Sequence, residues 1–277
     1  MRTVACSTLA CLAVACGPNR TYPDRDAYQP SLVAPLECVP NLDGVIEASE
    51  LRTAFDVPVR YLVNPASTSR PVSVAGATSP QGQLEWALGT DYADDRVATI
   101  SASAPTGRWY ASSFPSAQFV APLDLAGRVD GIYANDGANL LLLGYASREE
   151  APVEGKTLVV YSQPVAIFRF PLSAPKQWVS VGEVRNATVR GLPYAGRDTY
   201  TIKVDAAGRL ELPDVTFTQA LRVRTTTAIE PSVGASIVRR QVGWVFECFG
   251  EVARATAADS TSQDDFTTAT ELRRLGF

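Results

Sequence analysis

Histidine is absent from all 277 residues, methionine occurs once, and lysine occurs three times against 22 arginines. Without histidine the commonest general base and the commonest nitrogen ligand are gone, which removes Ser-His-Asp and Cys-His catalysis, histidine-bound zinc and the histidine pH switch. Positive charge is not in surplus either. The 25 Lys and Arg face 29 Asp and Glu, a net charge of −4, so nucleic acid is not an expected partner. The arginine excess over lysine reads as composition and carries no functional reading. What the chain does have is 46% hydrophobic and 9% aromatic residues, enough for a folded body.

Arg2 is the only charge before Arg20, and the stretch from Val4 to Ala15 is apolar or small. A run of about a dozen residues is too short to span a bilayer and has the build of a signal-peptide core. It ends in Leu12-Ala13-Val14-Ala15-Cys16, followed by Gly17-Pro18 and polar residues. This segment resembles the lipobox of bacterial lipoproteins. The resemblance implies a signal peptide over residues 1–15, acylation of Cys16 on its sulfur and then its amine, and attachment to a membrane through that lipid anchor. With Gly17 where an aspartate would retain the protein, it further implies onward transport to the outer membrane. Ala13-Val14-Ala15 also forms an A-x-A site for ordinary secretion, and both readings export the chain. Cys6 and Cys11 fall in the removed segment and Cys16 is taken by lipid, which leaves Cys38 and Cys248. In an oxidising compartment these are expected to form one disulfide between the start of the folded region and its last strand, the other reading being two buried thiols. Cys248 is expected on the strand face of Trp244 and Phe246, its sulfur shielded in the core.

Residues 16–35 carry four prolines among polar residues without apolar periodicity, as in a tether. From residue 36 to 257 alternation of period two dominates: Val59, Tyr61, Val63; Leu84, Trp86, Leu88; Tyr200, Ile202, Val204; Val242, Trp244, Phe246. Asn135-Asp136-Gly137 and Asp205-Ala206-Ala207-Gly208 read as hairpin turns. Helical patterning is confined to Ala48 to Phe55 and to Thr268 to Leu275, the latter closing a polar tail over residues 258–277. The expected fold is all-β: a single large antiparallel sandwich or a strongly curved sheet, with one or two short helices.

Motifs that could carry chemistry each lack a required member. Asn41-Leu42-Asp43-Gly44-Val45-Ile46 through Glu50 resembles the second half of an EF-hand loop, yet the first ligand position falls on Val39, so no metal is assigned. Ser173-Ala174-Pro175-Lys176 has the Ser-x-x-Lys spacing with a proline where the helix would run. Gly155-Lys156-Thr157 ends like a phosphate-binding loop, but Glu150 replaces its first glycine. The acidic pairs Asp94-Asp95, Glu149-Glu150 and Asp264-Asp265 read as solvated charge. No catalytic residue, cofactor or enzymatic activity is therefore expected.

The remaining signal is aromatic: Trp86, Trp109, Trp178, Trp244, Tyr61, Tyr110, Phe119, Tyr133, Phe168, Phe170 and Phe246 fall in or beside strands. If the sheet curls with no second sheet to fill it, such rings and Leu140 to Leu143 would line an apolar groove. The strand, proline break and tryptophan from Tyr161 through Phe170-Pro171 to Trp178 look like those of bacterial envelope lipoproteins with large curved sheets, some of which, the periplasmic lipoprotein carriers, bind acyl chains. Two roles follow. The first is a structural or interaction lipoprotein with an envelope protein as partner, which requires a filled core. The second is a carrier of an apolar ligand or lipid, which requires a large cavity.

Overall fold

The computed structural model describes residues 38–51, 53 and 55–276, of which the strands form the bulk; the chain is 54% strand and 3% helix. Strands β1 (Val59–Val63), β2 (Arg70–Pro71), β3 (Ala77–Thr78), β4 (Leu84–Ala87), β5 (Arg96–Ile100) and β6 (Phe119–Pro122) make up the first half of the body. They are followed by β7 (Val129–Asn135), β8 (Asn139–Ser147), β9 (Leu158–Arg169), β10 (Lys176–Val189) and β11 (Leu192–Glu211). The last are β12 (Thr216–Pro231), β13 (Ile237–Phe246), β14 (Gly250–Thr256), β15 (Thr268–Ala269) and β16 (Glu271–Leu275). The expected strongly curved antiparallel sheet is what forms. Its order is β5-β1-β16-β14-β13-β12-β11-β10-β9-β8-β7-β6, with β4 adding in parallel to the far end of β11. The two edges meet. Just past β5, Ser103 exchanges both backbone hydrogen bonds with Val120 of β6, each 2.9 Å, so the sheet curls almost into a barrel, its two edge strands joined through this isolated bridge.

Strand parity separates the two faces. On β13, Gly243 and Val245 look into the lumen while Val242, Trp244 and Phe246 look out. The outward face is not left to solvent. Residues 64–95 and 257–269 lie over β11 to β14 and β16, burying Trp86 against Trp244 edge-to-face at 6.0 Å, with Val74, Leu210, Phe266 and Leu272 around them. Two buried arginines clamp this layer to the barrel through backbone carbonyls: Arg222 Nη1 donates to Val74 and Ala75, both 2.9 Å, and Arg274 Nη1 to Leu88 at 2.8 Å. Their charges are met by Asp205 and Asp95. Residues 103–118 cover the outer face of β6 to β8 in the same way, with Tyr110 and Phe114 buried and Tyr110 Oη donating to Asp130 at 2.7 Å.

Several expectations need correction. The segment 258–277 is not a polar tail ending in a helix: Thr268 to Leu275 forms β15 and β16, and β16 lies between β14 and β1 with Leu272 to Leu275 all buried. Burial on both faces and ladder pairing override the spacing that suggested a helix. Asp205 to Gly208 is not a turn, since β11 runs through it with bulges on either side. Gly208 is needed for close approach: a Cβ there would stand 2.3 Å from the Leu84 carbonyl oxygen and 3.0 Å from the Trp86 ring. Among the described residues of the helix expected over Ala48 to Phe55, only Ala48–Leu51 is helical, one 3-10 turn, and the Glu50 carbonyl accepts from Cys248 N–H at 2.9 Å in place of a helical partner. The acidic pairs are ion-paired as well as solvated: Asp94, Asp264, Asp265 and Glu150 stay exposed while meeting Arg70, Arg240, Arg224 and Lys156, and only Asp95, shared by Arg70 and Arg274, departs from the expectation by being withdrawn from solvent.

The disulfide Cys38–Cys248 is present, joining residues 210 apart. Cys248 is not on the strand face of Trp244 but in the β13–β14 turn, half-buried, at φ 66°. From there the N-terminal segment crosses one end of the barrel. Glu247 Oε2 accepts from the N–H groups of Asn41 (2.7 Å) and Leu42 (2.9 Å), and Ile46 pairs with Leu172 after β9. A bridge that closes so long a loop raises stability by up to roughly 5 kcal/mol in the chain-entropy treatment. The double variant Cys38→Ala/Cys248→Ala is expected to unfold at markedly lower urea concentration with the fold retained by circular dichroism; an unchanged midpoint would show that the bridge contributes nothing.

Candidate functional site

The curled sheet encloses a cavity of about 980 Å³. Its wall is mainly apolar and aromatic, with Leu142, Ile167, Phe168, Val223, Ile229, Ile237 and Val245 beside Tyr133, Tyr145, Tyr194 and Tyr200. Volumes of this size suit a drug-sized or lipid-sized ligand. The cavity is closed at one end and open at the other. Along the inward positions of β12, Leu221 and Val223 are buried while Thr225, Thr227 and Ile229 are half-exposed; along β13, Val245 and Gly243 are buried while Gln241 and Ile237 are half-exposed and Arg239 is exposed. Ile46 and Leu172, both fully buried with Trp178, Ile202 and Val204, stopper the buried end.

Polar and charged groups also line the wall, among them Arg128, Glu154, Arg190, Asp198, Arg239 and the Glu251–Arg254 pair, and on β11 they are placed by register. Inward positions on β11 run Tyr194, Gly196, Asp198, Tyr200, Ile202 and Val204, which sets one carboxylate in an otherwise apolar and aromatic row. Opposite Asp198 on β10 is Gly182, and the Tyr161 ring from β9 lies flat in the space a side chain would take, 2.5 Å from where a Cβ would stand. Residues 161–164 bulge out of the β8–β9 ladder, with Pro164 in the bulge where no ladder donor is lost, and this aims Tyr161 inward. Tyr161 Oη donates to Asp198 Oδ2 at 2.7 Å and lies 3.2 Å from Tyr200 Oη. Asp198 is 3% exposed; its Oδ1 and the Tyr194 hydroxyl have no hydrogen-bond partner among the described residues.

Electrostatics follow from this burial. Desolvation pushes the Asp198 carboxyl above its ordinary value, against the pull of the Tyr161 hydrogen bond and the Arg239 charge. Burial also raises Tyr145, Tyr161 and Tyr200, each further raised by the Asp198 charge. A second polar group sits elsewhere on the wall: Arg254 Nη2 meets Glu251 Oε2 at 2.6 Å, and the Tyr61 hydroxyl, pushed up to about 12 by burial and Glu251, donates to the Glu251 carbonyl at 2.7 Å.

Comparison with protein-family models, curated proteins and solved structures finds no match to the chain. Of the residues singled out from sequence, Cys16 lies outside the described residues. Cys38 and Cys248 join at the stoppered end of the barrel, outside the wall of the cavity. In the EF-hand-like loop, Asn41 Oδ1 accepts from Asp43 N–H (2.9 Å), Asp43 Oδ1 from Val45 N–H (2.8 Å) and Glu50 Oε2 from Glu47 N–H (2.8 Å), so these oxygens cap the turn. Lys176 donates to the carbonyls of Arg169 and Pro171 rather than to Ser173. Of the aromatics, Tyr133 and Phe168 line the cavity, whereas Trp86, Trp244, Tyr110 and Trp109 pack on the outer face. Sequence reasoning passed over Asp198, Tyr145 and Tyr194, and took Tyr161 only as the start of a strand pattern.

A carboxyl whose folded pKa is raised binds its proton more tightly folded than unfolded. Its contribution to stability is complete below the unfolded value and is lost as pH rises through the folded value. The variant Asp198→Asn keeps an acceptor for Tyr161 and removes the titration. Its urea midpoint is expected to fall less than that of the unsubstituted protein between acid and neutral pH. Parallel profiles would mean that Asp198 is not held above its ordinary range.

Proposed function

We propose that this protein is an exported, lipid-anchored binding protein that holds a largely apolar ligand inside its curled sheet. The observation that carries the reading is a cavity of about 980 Å³, walled by aliphatic and tyrosine side chains, stoppered at one end and accessible at the other. A structural protein has no need of such a space, which forfeits packing contacts that a filled core would make. The disulfide supports an oxidising compartment, and the lipobox-like segment ending at Cys16 supports tethering to the outer membrane, where an acyl or other apolar molecule would be near at hand. An interaction role draws on a different feature: Val160, Val179 and Val181 are exposed on the outer face of β9 and β10. They form a short strip beside solvent-facing polar residues, less than the large apolar patch that marks a stable interface.

Delipidated protein is expected to take up one equivalent of the neutral fluorophore N-phenylnaphthylamine. Thr225→Trp, which fills the lumen, removes that binding, while Thr226→Trp, on the outward parity of the same strand, does not. Uptake insensitive to Thr225→Trp would place the dye elsewhere and remove the carrier reading. For the anchor, labelled palmitate is expected to enter the unsubstituted protein and not Cys16→Ala, with the variant recovered in the soluble envelope fraction; label in the variant, or none in either, would refute acylation at Cys16.

A further inference from the structure

We infer that the ligand is an amphipathic amine whose protonated nitrogen donates to Asp198 while its hydrocarbon body lies along Ile167, Val223, Ile229 and Ile237. This rests on the lumen being a ligand site and names the chemistry of what enters it. Tyr161 directs its only proton to Asp198 Oδ2, so in the 3.2 Å contact with Tyr200 it is Tyr200 that donates. The chain Tyr200, Tyr161, Asp198 therefore ends in an acceptor. The remaining acceptor, Oδ1 of a carboxyl that is 97% removed from solvent, has no donor among the described residues; the residue lines the cavity, and since Oδ1 itself has under 1 Å² of accessible surface an incoming donor reaches it by displacing the side chains around it. Buried acceptors are almost always satisfied, and what would satisfy this one is a donor brought in from outside.

Charge narrows the donor. Asp198 has no ion-pair partner among the described residues. The cation whose field reaches it, Arg239, is exposed and engages Asp259 at 3.2 Å. A cationic N–H group supplies both the missing hydrogen bond and the missing charge, and the electron-rich rings of Tyr145, Tyr194 and Tyr200 in the wall favour a cation further. An alcohol brings only the hydrogen bond. A quaternary ammonium brings only the charge. At Asp198 a carboxylate or phosphate meets like charge, so an anion would have to turn to Arg128, Arg190, Arg239 or Arg254 elsewhere on the wall.

The test uses the delipidated, disulfide-bonded protein with N-phenylnaphthylamine bound, and four twelve-carbon competitors below their micellar concentrations: dodecylamine, dodecanol, dodecyltrimethylammonium and dodecanoate. Dodecylamine is expected to displace the dye at concentrations at least about tenfold lower than any of the others. In Asp198→Asn, its fold verified by circular dichroism, the amine is expected to fall to the level of dodecanol. Equal displacement by all four, a preference for dodecanoate, parity of the amine with the quaternary ammonium, or an amine preference that survives Asp198→Asn would each overturn amine recognition and leave the lumen as an apolar site. Failure of every competitor to displace the dye would instead remove the carrier reading on which the inference rests. The four-probe comparison on the unsubstituted protein decides the matter even if Asp198→Asn does not fold.

Discussion

A curled sheet has two faces to keep from water, and this chain seals the outer one with its own connections. The contact between Trp86, carried on the insertion, and Trp244, on the barrel, lies at the centre of that seal. Burying a tryptophan is worth roughly 4–6 kcal/mol as an upper figure, from 150–250 Å² at about 25 cal/mol per Å². Arg222 and Arg274 hold the insertion by donating to its carbonyls, which a polar loop lying on an apolar face would otherwise leave without partners. With the outer face supplying this burial, the inner face need not collapse to fill itself. The lumen can stay partly empty because the stability of the body does not depend on filling it.

The same two-sided covering decides which parts of the fold were legible in the sequence. Where one face meets the lumen wall or solvent and the other meets an apolar layer, alternation survives, as on β11 and β10, and the strands could be read directly. Where both faces are buried it disappears. Leu272 to Leu275 has two apolar residues flanking two arginines, and nothing in that string reveals that both arginines are buried and ion-paired. Gly208 misled for a related reason. A glycine after Asp-Ala-Ala is good turn chemistry, but a glycine is also required wherever another backbone comes too close for a Cβ, and only the position of β4 distinguishes the two. The disulfide pairing followed from counting; its place in a turn did not, because the end of β13 is set by its partner strands.

For the site, parity told which residues share a face but not which face is inside. Trp86, Trp244 and Tyr133 look alike in sequence, and the closure of the sheet sends the tryptophans outward and the tyrosine inward. Asp198 went unread, although a signal for it is present. It falls on the parity of Tyr200, Ile202 and Val204, a charge in a row that is otherwise apolar, and a charge in such a position marks either a wrong assignment of the face or a functional group. The register excludes a wrong assignment, since Asp198 stands opposite Gly182 and accepts from Tyr161 across the lumen wall.

Asp198 and the stopper divide the barrel into two ends with different tasks. Everything that ties the chain together over the lumen is at one end: the Cys38–Cys248 bridge, the Glu247 carboxylate holding the N–H groups of Asn41 and Leu42, and Ile46 against Leu172. At the other end the inward side chains lose burial step by step along β12 and β13, with no counterpart of the bridge among the described residues. A ligand can enter and leave there without disturbing the bridge or the outer seal. An unpartnered buried acceptor costs about 1–3 kcal/mol, and replacing Asp198 with an apolar residue would remove that cost together with the row's only charge. A chain that keeps the carboxylate in the wall, directs a tyrosine proton at one of its oxygens and leaves the other without a partner among the described residues gives up stability, which on the proposed reading an occupant of the lumen restores.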